Sequence, residues 1–350
     1  MPGTIEHIPV FIEGQDDLID ILATSIASIC YNTESFIDFY ILDCGICPFN
    51  KKQLESLKKK FSNFSLEFIP IDLRKFDGMK GWPPPKHQFL DCYARLLIPE
   101  LKENIDKAIY LDSDIIALDD IRLLWQQDLE GFELGAVADI GYDKIFFENC
   151  TQKLGVLPNH IYANAGVLLI DCKKWRENAT TEKLLEIGRK YKENLMVLNE
   201  DILSIYYNGN KYKLLENRYN LTDLNSRICK YSAPEITDEY IKKEWQHVVL
   251  YHFCHGKPFR QIKNWYNGRN LKHFDNFWFF AKMTPFYAGM LLRFEESSRS
   301  RENEEKENKK RDEKYKLFNL ITIFSVKQKS KGTYYKLFGF IPVLVKRNKK

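Results

Sequence analysis

The sequence lacks a long apolar run: none of its hydrophobic stretches has the length that a helix needs to cross a lipid bilayer. It also lacks a secretory signal peptide, because the apolar stretch 8–12 gives way directly to the polar stretch 13–17. These two absences predict a cytoplasmic protein. With 350 residues, the chain can form one large α/β domain with appendages or two modest domains.

The eight cysteines form no pattern that indicates a zinc site or a disulfide framework. Most of them lie inside apolar runs, where cysteine behaves as a small hydrophobic side chain. Cys44 and Cys47 form a Cys-x-x-Cys pair, but the sequence has no second pair at the spacing of a zinc site. A reduced structural pair is therefore favoured over a metal-binding or redox role.

Acidic residues are absent from 316–350, a tail that contains nine Lys and Arg residues. Since all 48 Asp and Glu residues precede this tail, the net charge of +4 combines a mildly acidic body with a strongly basic end. An acidic body does not favour nucleic acid as the partner. The tail alternates basic and apolar clusters, which suits a helix or hairpin lying on an anionic membrane surface. The alternative is that its apolar pairs pack on the body and its lysines are solvated.

Apolar periodicity predicts an α/β fold. Short apolar runs predict strands at 8–12, 36–42, 66–71, 107–111, 135–138, 166–170 and 248–253. Helices are predicted at 18–31, 50–61, 87–97, 182–191 and 201–206, the third of them ending near Pro99. The β-α-β-α-β order at the start predicts a mostly parallel sheet flanked by crossover helices. We expect this domain to span 1–270, followed by a helical, charged linker at 271–315 and the basic tail at 316–350.

Two carboxylates, Asp112 and Asp114, follow directly after the buried run 107–111. Ligands of open α/β sheets bind outside the carboxyl ends of the strands, so this position favours a binding role. Carboxylates held this close repel each other unless a cation lies between them, and Mn²⁺ or Mg²⁺ would also bind phosphate oxygens. A turn with exposed acids is the alternative. The nearby pair Asp119 and Asp120 is predicted to cap the helix that contains Trp125.

Three further clusters contain polar side chains that suit a sugar or a diphosphate. His252 lies on the last predicted strand and can complete a Mn²⁺ site, although a core histidine before a turn is the alternative. The second cluster, 162–171, includes Asn164, whose amide can both donate to and accept from sugar hydroxyls. The third, Asn199-Glu200-Asp201, opens a predicted helix, where acids are also expected for capping alone.

Taken together, these clusters resemble glycosyltransferase family 8, which includes bacterial lipopolysaccharide galactosyl- and glucosyltransferases and also glycogenin. The resemblance covers about 8 to 265, and its matching stretches, in the family's order, are 93–96, 110–114, 164–171, 199–203 and 252–259. It implies a GT-A type nucleotide-diphospho-sugar transferase fold and transfer with retention of the anomeric configuration.

The resemblance also implies roles for individual residues. Mn²⁺ or Mg²⁺ would be held by Asp112, Asp114 and His252. The residues implied in binding the UDP-sugar donor are Arg95, Gly166, Asp201, Gly256 and Lys257. The transferred sugar would be surrounded by the catalytic residues Asp139, Asn164 and Glu200.

Two departures from the family pattern bear on specificity and mechanism. The acid that usually contacts uridine falls on Gly14, which leaves the preference for the base open. Glu200 stands where bacterial members often have Gln. A carboxylate there makes a covalent glycosyl intermediate chemically possible. The favoured route is front-face transfer, in which Glu200 only stabilises positive charge at the anomeric carbon.

The function we expect is transfer of galactose or glucose to a lipid-linked acceptor of a lipopolysaccharide or lipooligosaccharide core, by an enzyme docked through its tail on the inner face of the plasma membrane. The alternatives are a capsule, protein-linked or glycogen-type acceptor, a sugar-binding module without catalysis, and a metal-dependent phosphohydrolase. The donor sugar and the linkage are choices that depend on a few pocket contacts.

Overall fold

The computed structural model describes residues 6–81, 90–139, 144–222, 236–254, 258 and 273–296, together with the backbone of three strands between 324 and 346. The chain divides into two compact units. The first comprises Met1–Pro258 with Ile262–Ala288, and the second comprises Phe259–Gln261 with Gly289–Lys350. Among the described residues, no helix has the length and apolar character needed to cross a membrane.

The first unit is a layered α/β structure. Its strands are β1 (His7–Gly14), β2 (Phe36–Asp43), β3 (Phe64–Pro70), β4 (Lys107–Leu111), β5 (Ile115–Ala117), β6 (Leu134–Ala138), β7 (Ala163–Asp171), β8 (Lys213–Leu215), β9 (Leu221–Thr222) and β10 (Leu250–His252). Its α-helices are α1 (Ile19–Asn32), α2 (Pro48–Glu55), α3 (Ile98–Leu101), α4 (Arg122–Trp125), α5 (Lys144–Leu154), α6 (Cys172–Glu177), α7 (Thr180–Lys190), α8 (Asn199–Tyr206), α9 (Asp238–Glu244) and α10 (Phe274–Ala281).

Seven strands form the main sheet in the order β3-β2-β1-β4-β7-β6-β8. The first four of these are parallel to one another, β7 is antiparallel to both of its neighbours, and β8 is parallel to β6. This arrangement confirms the predicted mixed, mostly parallel sheet. A second, small sheet has the order β5-β10-β9, with β10 antiparallel to β5.

The central strands β4, β6 and β7 of the main sheet are buried on both faces, which explains why they appear in the sequence as nearly continuous apolar runs. On β1, Val10 and Ile12 belong to one hydrophobic cluster, which also contains Leu22 and Ile26 of α1. Phe11 points to the opposite face and joins a second cluster that is packed between the sheet and the helices α6 to α8. Because side chains alternate along a strand, a single apolar run supplies both layers.

Two predicted elements differ from the structure. The segment 91–97 is a 3₁₀ helix that leads directly into α3, and Pro99 lies in the first turn of that helix instead of ending the preceding one. Proline is tolerated there because the first helical N–H groups have no intrahelical acceptor. The strand predicted from 166 begins at Ala163, where the register with β6 shifts between Ala136 and Val137.

The second unit contains a three-stranded antiparallel sheet within the predicted basic tail. Its strands are β11 (Phe324–Lys329), β12 (Gly332–Leu337) and β13 (Ile341–Lys346). Of the two forms that the sequence allowed, a helix or a hairpin, the backbone adopts the hairpin form and extends it by one strand. In the preceding segment, predicted as a linker, the backbone is helical at 287–296, and 297–323 lies outside the described residues.

Candidate active site

The candidate site lies where β4 ends and where the small sheet meets the large one. Asp112 follows β4, and its N–H donates to the carbonyl of Gly166 on β7 over 2.8 Å. The chain then turns into β5, which pairs antiparallel with β10, so that His252 lies opposite Ile115. The N–H of Phe253 donates to the carbonyl of Asp114 over 3.0 Å. Backbone pairing therefore brings His252 next to an acidic turn that precedes it by about 140 positions.

The side chains of Asp112, Asp114 and His252 converge as the sequence predicted. His252 Nε2 lies 3.1 Å from Asp114 Oδ1 and 3.7 Å from Asp112 Oδ2. One ligand atom from each of the three residues can be chosen so that all three lie within 4.8 Å of one another. Two carboxylate oxygens and one imidazole nitrogen form a donor set that suits Mn²⁺ or Mg²⁺.

Gly166 provides the space into which the His252 ring fits. A Cβ atom at this position would lie 2.4 Å from Cε1 and 2.8 Å from Nδ1 of the imidazole. No side chain larger than hydrogen is compatible with such distances. Gly166 was predicted to lie in the donor site, and in the structure it lies against the imidazole of His252.

Asp112 is oriented by two buried side chains. The Arg95 guanidinium contacts Asp112 Oδ1 over 2.9 Å and donates to the carbonyl of Ala165 over 2.6 Å. The Tyr110 hydroxyl donates to the same oxygen of Asp112 over 2.7 Å, and the ring of Tyr110 lies 4.4 Å from the guanidinium carbon of Arg95. Burial is the largest single influence on the pKa of Arg95 and lowers it, but the combined attraction of Asp112 and other neighbouring groups, including Glu13, holds that pKa above its ordinary value. Arg95 was predicted to bind the donor, and in the structure it contacts Asp112, one of the predicted metal ligands.

Two further buried acids lie behind Arg95 and were not identified from the sequence. Glu13 Oε2 is 3.6 Å from Arg95 Nη2. Burial and the neighbouring carboxyl of Asp91 raise the pKa of Glu13, while burial raises the pKa of Asp91.

The predicted sugar-binding residues Asn164 and Asp139 are joined by a hydrogen bond. Asn164 Nδ2 donates to Asp139 Oδ2 over 2.8 Å, and Asn164 Oδ1 accepts from Asn220 Nδ2 over 2.7 Å. Asn220 Oδ1 in turn lies 3.0 Å from His252 Nδ1. Glu200, at the start of α8, accepts from the N–H of Ala165 through Oε1 over 3.1 Å. The predicted catalytic residues therefore border the predicted metal ligands.

Asp201 is placed differently from its predicted contact with the donor. It is fully buried, and its Oδ2 accepts from the N–H groups of Met196 and Val197 over 2.5 and 2.7 Å. Its Oδ1 accepts from the Tyr162 hydroxyl over 3.0 Å. These bonds hold the turn before α8, in which Leu198 has a positive φ of 52°. Because both oxygens of its carboxylate accept these hydrogen bonds, Asp201 holds the turn that precedes Glu200.

Gly256 and Lys257, which were predicted to bind the donor diphosphate, lie outside the described residues. Gly14, the position that departs from the family's uridine-contacting acid, is packed tightly in the core. A Cβ atom on Gly14 would lie 2.7 Å from Ile41 Cγ2 and 2.8 Å from Ile46 Cδ1. An acidic side chain therefore does not fit at this point of β1.

Sequence reasoning missed Tyr110 and Asn220. Tyr110 precedes Asp112 by two positions, and residues so spaced share one side of a strand, which is a signal that was available. No sequence pattern indicated Asn220, because its contact with His252 depends on the pairing of β9 with β10. That pairing joins segments about 30 residues apart, and a single asparagine before a short strand is common.

Solved structures with the same architecture include the galactosyltransferase LgtC in complex with donor and acceptor sugar analogues. It superposes with a TM-score of 0.65 at 24% identity, covering 79% of this chain and 96% of that one. An active-site mutant of LgtC aligns with the same TM-score at 26% identity. The fold is therefore of the GT-A type, the class of sugar transferases that use nucleotide-linked donors.

Residues 9–263 match the family described as glycosyl transferase family 8, so the chain belongs to this family and is a glycosyltransferase. A relative from Haemophilus influenzae is 34% identical over 212 residues, which are 60% of this chain and 62% of that protein. General stress protein A of Bacillus subtilis is 27% identical over 257 residues, or 72% of this chain and 85% of that protein. The glycosyltransferase GlyF of Streptococcus pneumoniae is 32% identical over 199 residues, which are 57% of this chain and 45% of GlyF.

Proposed function

We propose that the chain transfers a hexose, galactose or glucose, from a UDP-sugar to a glycan acceptor with retention of configuration. The observation that carries this proposal is the convergence of Asp112, Asp114 and His252 at the carboxyl end of β4. When bound there, Mn²⁺ or Mg²⁺ would neutralise charge that develops on the leaving diphosphate. Lys257 and Gly256 are proposed to contact the same phosphates.

The transfer step that we favour takes place on one face of the sugar. The acceptor hydroxyl attacks the anomeric carbon as the bond to the diphosphate oxygen breaks, and its proton passes to that leaving oxygen. Asn164 and Asp139 orient the sugar hydroxyls. The carboxylate of Glu200, which the N–H of Ala165 orients, stabilises the positive charge at the anomeric carbon.

The competing route is a double displacement in which Glu200 itself attacks the anomeric carbon. A Glu200→Gln variant separates the two routes, because an amide is a poor nucleophile. We expect this variant to keep measurable transfer. A sugar trapped covalently on Glu200, detected by mass spectrometry of the intact protein and its peptides, would establish the double displacement instead.

For the acceptor, we propose the lipid-linked core of a lipopolysaccharide or lipooligosaccharide. The relative LgtC, described as a galactosyltransferase, supports a hexose donor, and the basic tail supports an acceptor at a membrane. Strand register supports an amphipathic tail, since Phe324 is paired with Leu337 and Leu337 with Ile341. Anionic lipid would attract the nine basic residues of 316–350 at the inner face of the plasma membrane.

The decisive experiment screens a panel of nucleotide sugars for Mn²⁺-dependent release of the nucleotide by the purified chain, with and without glycan acceptors. A transferase releases UDP faster when its acceptor is present. A sugar-binding module would bind the donor without turnover, and a phosphohydrolase would cleave it with no acceptor preference. Either result would replace the proposed function.

The membrane proposal has a separate test. Removing 316–350 is expected to abolish sedimentation with vesicles that contain phosphatidylglycerol, while hydrolysis of the donor survives. Neutral phosphatidylcholine vesicles serve as the control, since only the anionic surface should bind the tail. Unchanged sedimentation of the shortened chain would eliminate the tail as the membrane anchor.

A further inference from the structure

Four side chains form a continuous line of hydrogen bonds that ends on the predicted metal ligand His252. Asn164 Nδ2 donates to Asp139 Oδ2 over 2.8 Å, and Asn220 Nδ2 donates to Asn164 Oδ1 over 2.7 Å. The line is completed by the 3.0 Å contact between Asn220 Oδ1 and His252 Nδ1. Asn220 is 3% exposed, so water does not compete for these bonds. We call this set the asparagine relay.

The polarity of the asparagine relay follows from one backbone group. The N–H of Gly166 lies 3.0 Å from the side chain of Asn164, and a backbone N–H can only donate. The accepting atom of Asn164 is therefore its oxygen, which also faces Asn220. The atom of Asn220 that faces Asn164 must then be its amide nitrogen, which leaves the oxygen of Asn220 facing His252.

The tautomer of His252 follows in the same way. Because an amide oxygen can only accept, the Nδ1 atom of His252 must carry the hydrogen of the neutral ring. Nε2 then presents its lone pair toward Asp114 Oδ1 and Asp112 Oδ2, at 3.1 and 3.7 Å. A lone pair facing two carboxylates is unfavourable unless a cation lies between them. The relay therefore fixes the one neutral tautomer of His252 that can bind a metal ion.

We propose that Asn220 is a positioning residue that holds His252 in its metal-binding tautomer. The proposal rests on the metal site of the proposed function and adds a residue to it. In the other tautomer, Nε2–H would donate to Asp114 over the same 3.1 Å, and this bond would have to break before a cation could bind. Gly166 fixes the position of the ring, whereas Asn220 determines which of its nitrogens is protonated.

The test is the Mn²⁺ affinity of the full chain, measured by isothermal titration calorimetry, together with the tautomer of His252 in metal-free protein. Two-bond ¹⁵N–¹H correlations at about pH 8, where an ordinary imidazole is neutral, distinguish the two tautomers. In the unchanged chain we expect the Nδ1–H form. In Asn220→Ala we expect a mixture of tautomers and a loss of about 10- to 100-fold in Mn²⁺ affinity, as is typical for partners of metal-bound histidines.

Two further variants separate positioning from packing. Asn220→Asp keeps an oxygen that accepts from Nδ1–H but loses the N–H that donates to Asn164, so it should recover the tautomer and only part of the lost affinity. Asn217→Ala removes another buried asparagine from the same segment and outside the relay, so it should leave both readouts unchanged.

Each outcome bears on a different claim. If the unchanged chain binds no Mn²⁺, the proposed metal site fails. If it binds Mn²⁺ and Asn220→Ala binds equally well with the same tautomer, the metal site stands and the role of Asn220 is refuted. If Asn220→Ala does not fold, the tautomer of the unchanged chain decides, because an Nε2–H form there also refutes the role.

Discussion

His252 and His160 are both almost fully buried, at 4% and 1% exposure, yet their rings meet opposite surroundings. His252 Nε2 faces two carboxylates, whereas His160 packs edge-on against Tyr162 and Tyr212. The Nδ1 atom of His160 accepts from the N–H of Asn210 over 3.3 Å, which places its hydrogen on Nε2. Within the described part of the chain, that Nε2 has no hydrogen-bond partner.

Burial and residue type therefore do not distinguish a proposed metal-binding histidine from a core histidine. The two rings carry their hydrogen on opposite nitrogens because the groups that face Nδ1 differ: an amide oxygen for His252 and a backbone N–H for His160. A core histidine was the alternative interpretation of His252 from the sequence alone, and His160 is an example of that kind. Only the atoms around each ring distinguish them.

The largest expected effect comes from removing a carboxylate that faces His252. Asp114→Ala should lower Mn²⁺-dependent UDP release by about 10³-fold or more, because several kcal/mol of charge stabilisation depend on the bound ion. The matched control is Asp120→Ala, which removes an acid whose Oδ1 accepts from the N–H of Arg122 near the start of α4. Equal losses of activity in the two variants would contradict a special role for Asp114.

The next largest expected effect is on the free energy of unfolding, which depends on pH through His160. Burial lowers the pKa of His160 to about 4. The unfolded chain takes up this proton near pH 6.5 and the folded chain only near pH 4, so acid favours unfolding. The free energy of unfolding keeps its full value above pH 6.5. It falls by up to about 3 kcal/mol as the pH is lowered toward 4, because only the unfolded chain takes up the proton in this range.

Chemical denaturation of the unchanged chain and of His160→Gln over this pH range measures the difference. The variant should lose less stability on acidification than the unchanged chain. If the free energy of unfolding of the two proteins changed with pH in the same way, the ring of His160 would be protonated as easily in the folded state as in the unfolded state.

A smaller effect is expected from Gly166→Ala. The added methyl group would overlap the imidazole of His252, so the ring must move away from the two acids, and Mn²⁺ affinity should fall about 10-fold or more. Gly135→Ala is the control, since its Cβ would crowd Leu129 at 2.8 Å and its nearest contacts are leucine side chains. The control should lose stability and keep its metal affinity. If Gly166→Ala kept its Mn²⁺ affinity, the His252 ring would be able to accommodate the methyl group without moving away from the two acids.

Tyr110→Phe should have the smallest effect. It deletes the hydroxyl that donates to Asp112 and keeps the ring beside Arg95, at an expected cost of about 1 kcal/mol or roughly fivefold in Mn²⁺ affinity. Tyr93→Phe deletes an equally buried hydroxyl, one that donates to the carbonyl of Lys80, and should leave Mn²⁺ binding unchanged. Calorimetric titration of both variants provides the comparison.

The sequence predicted those features that depend on neighbours along the chain. The apolar runs that form β1, β2 and β4 supply much of the core, so their strands were recognised, and Asp112 and Asp114 were placed at the end of β4. What it missed depends on contacts between distant segments. Asn220 gains its role only because β9 pairs with β10, and Asp201 turns inward because two N–H groups and a hydroxyl meet it there.

The backbone bond between Phe253 and Asp114 has a consequence for how an ion enters and leaves the site. Since this bond and the pairing of β5 with β10 already hold Asp114 and His252 together, the proposed binding of a metal ion would require little further ordering of the chain. Pre-organisation of this kind lowers the entropic cost of capture. If the proposed metal site binds Mn²⁺, the same backbone bonds would keep the three side chains together after the ion has left, which suits an ion that exchanges during turnover.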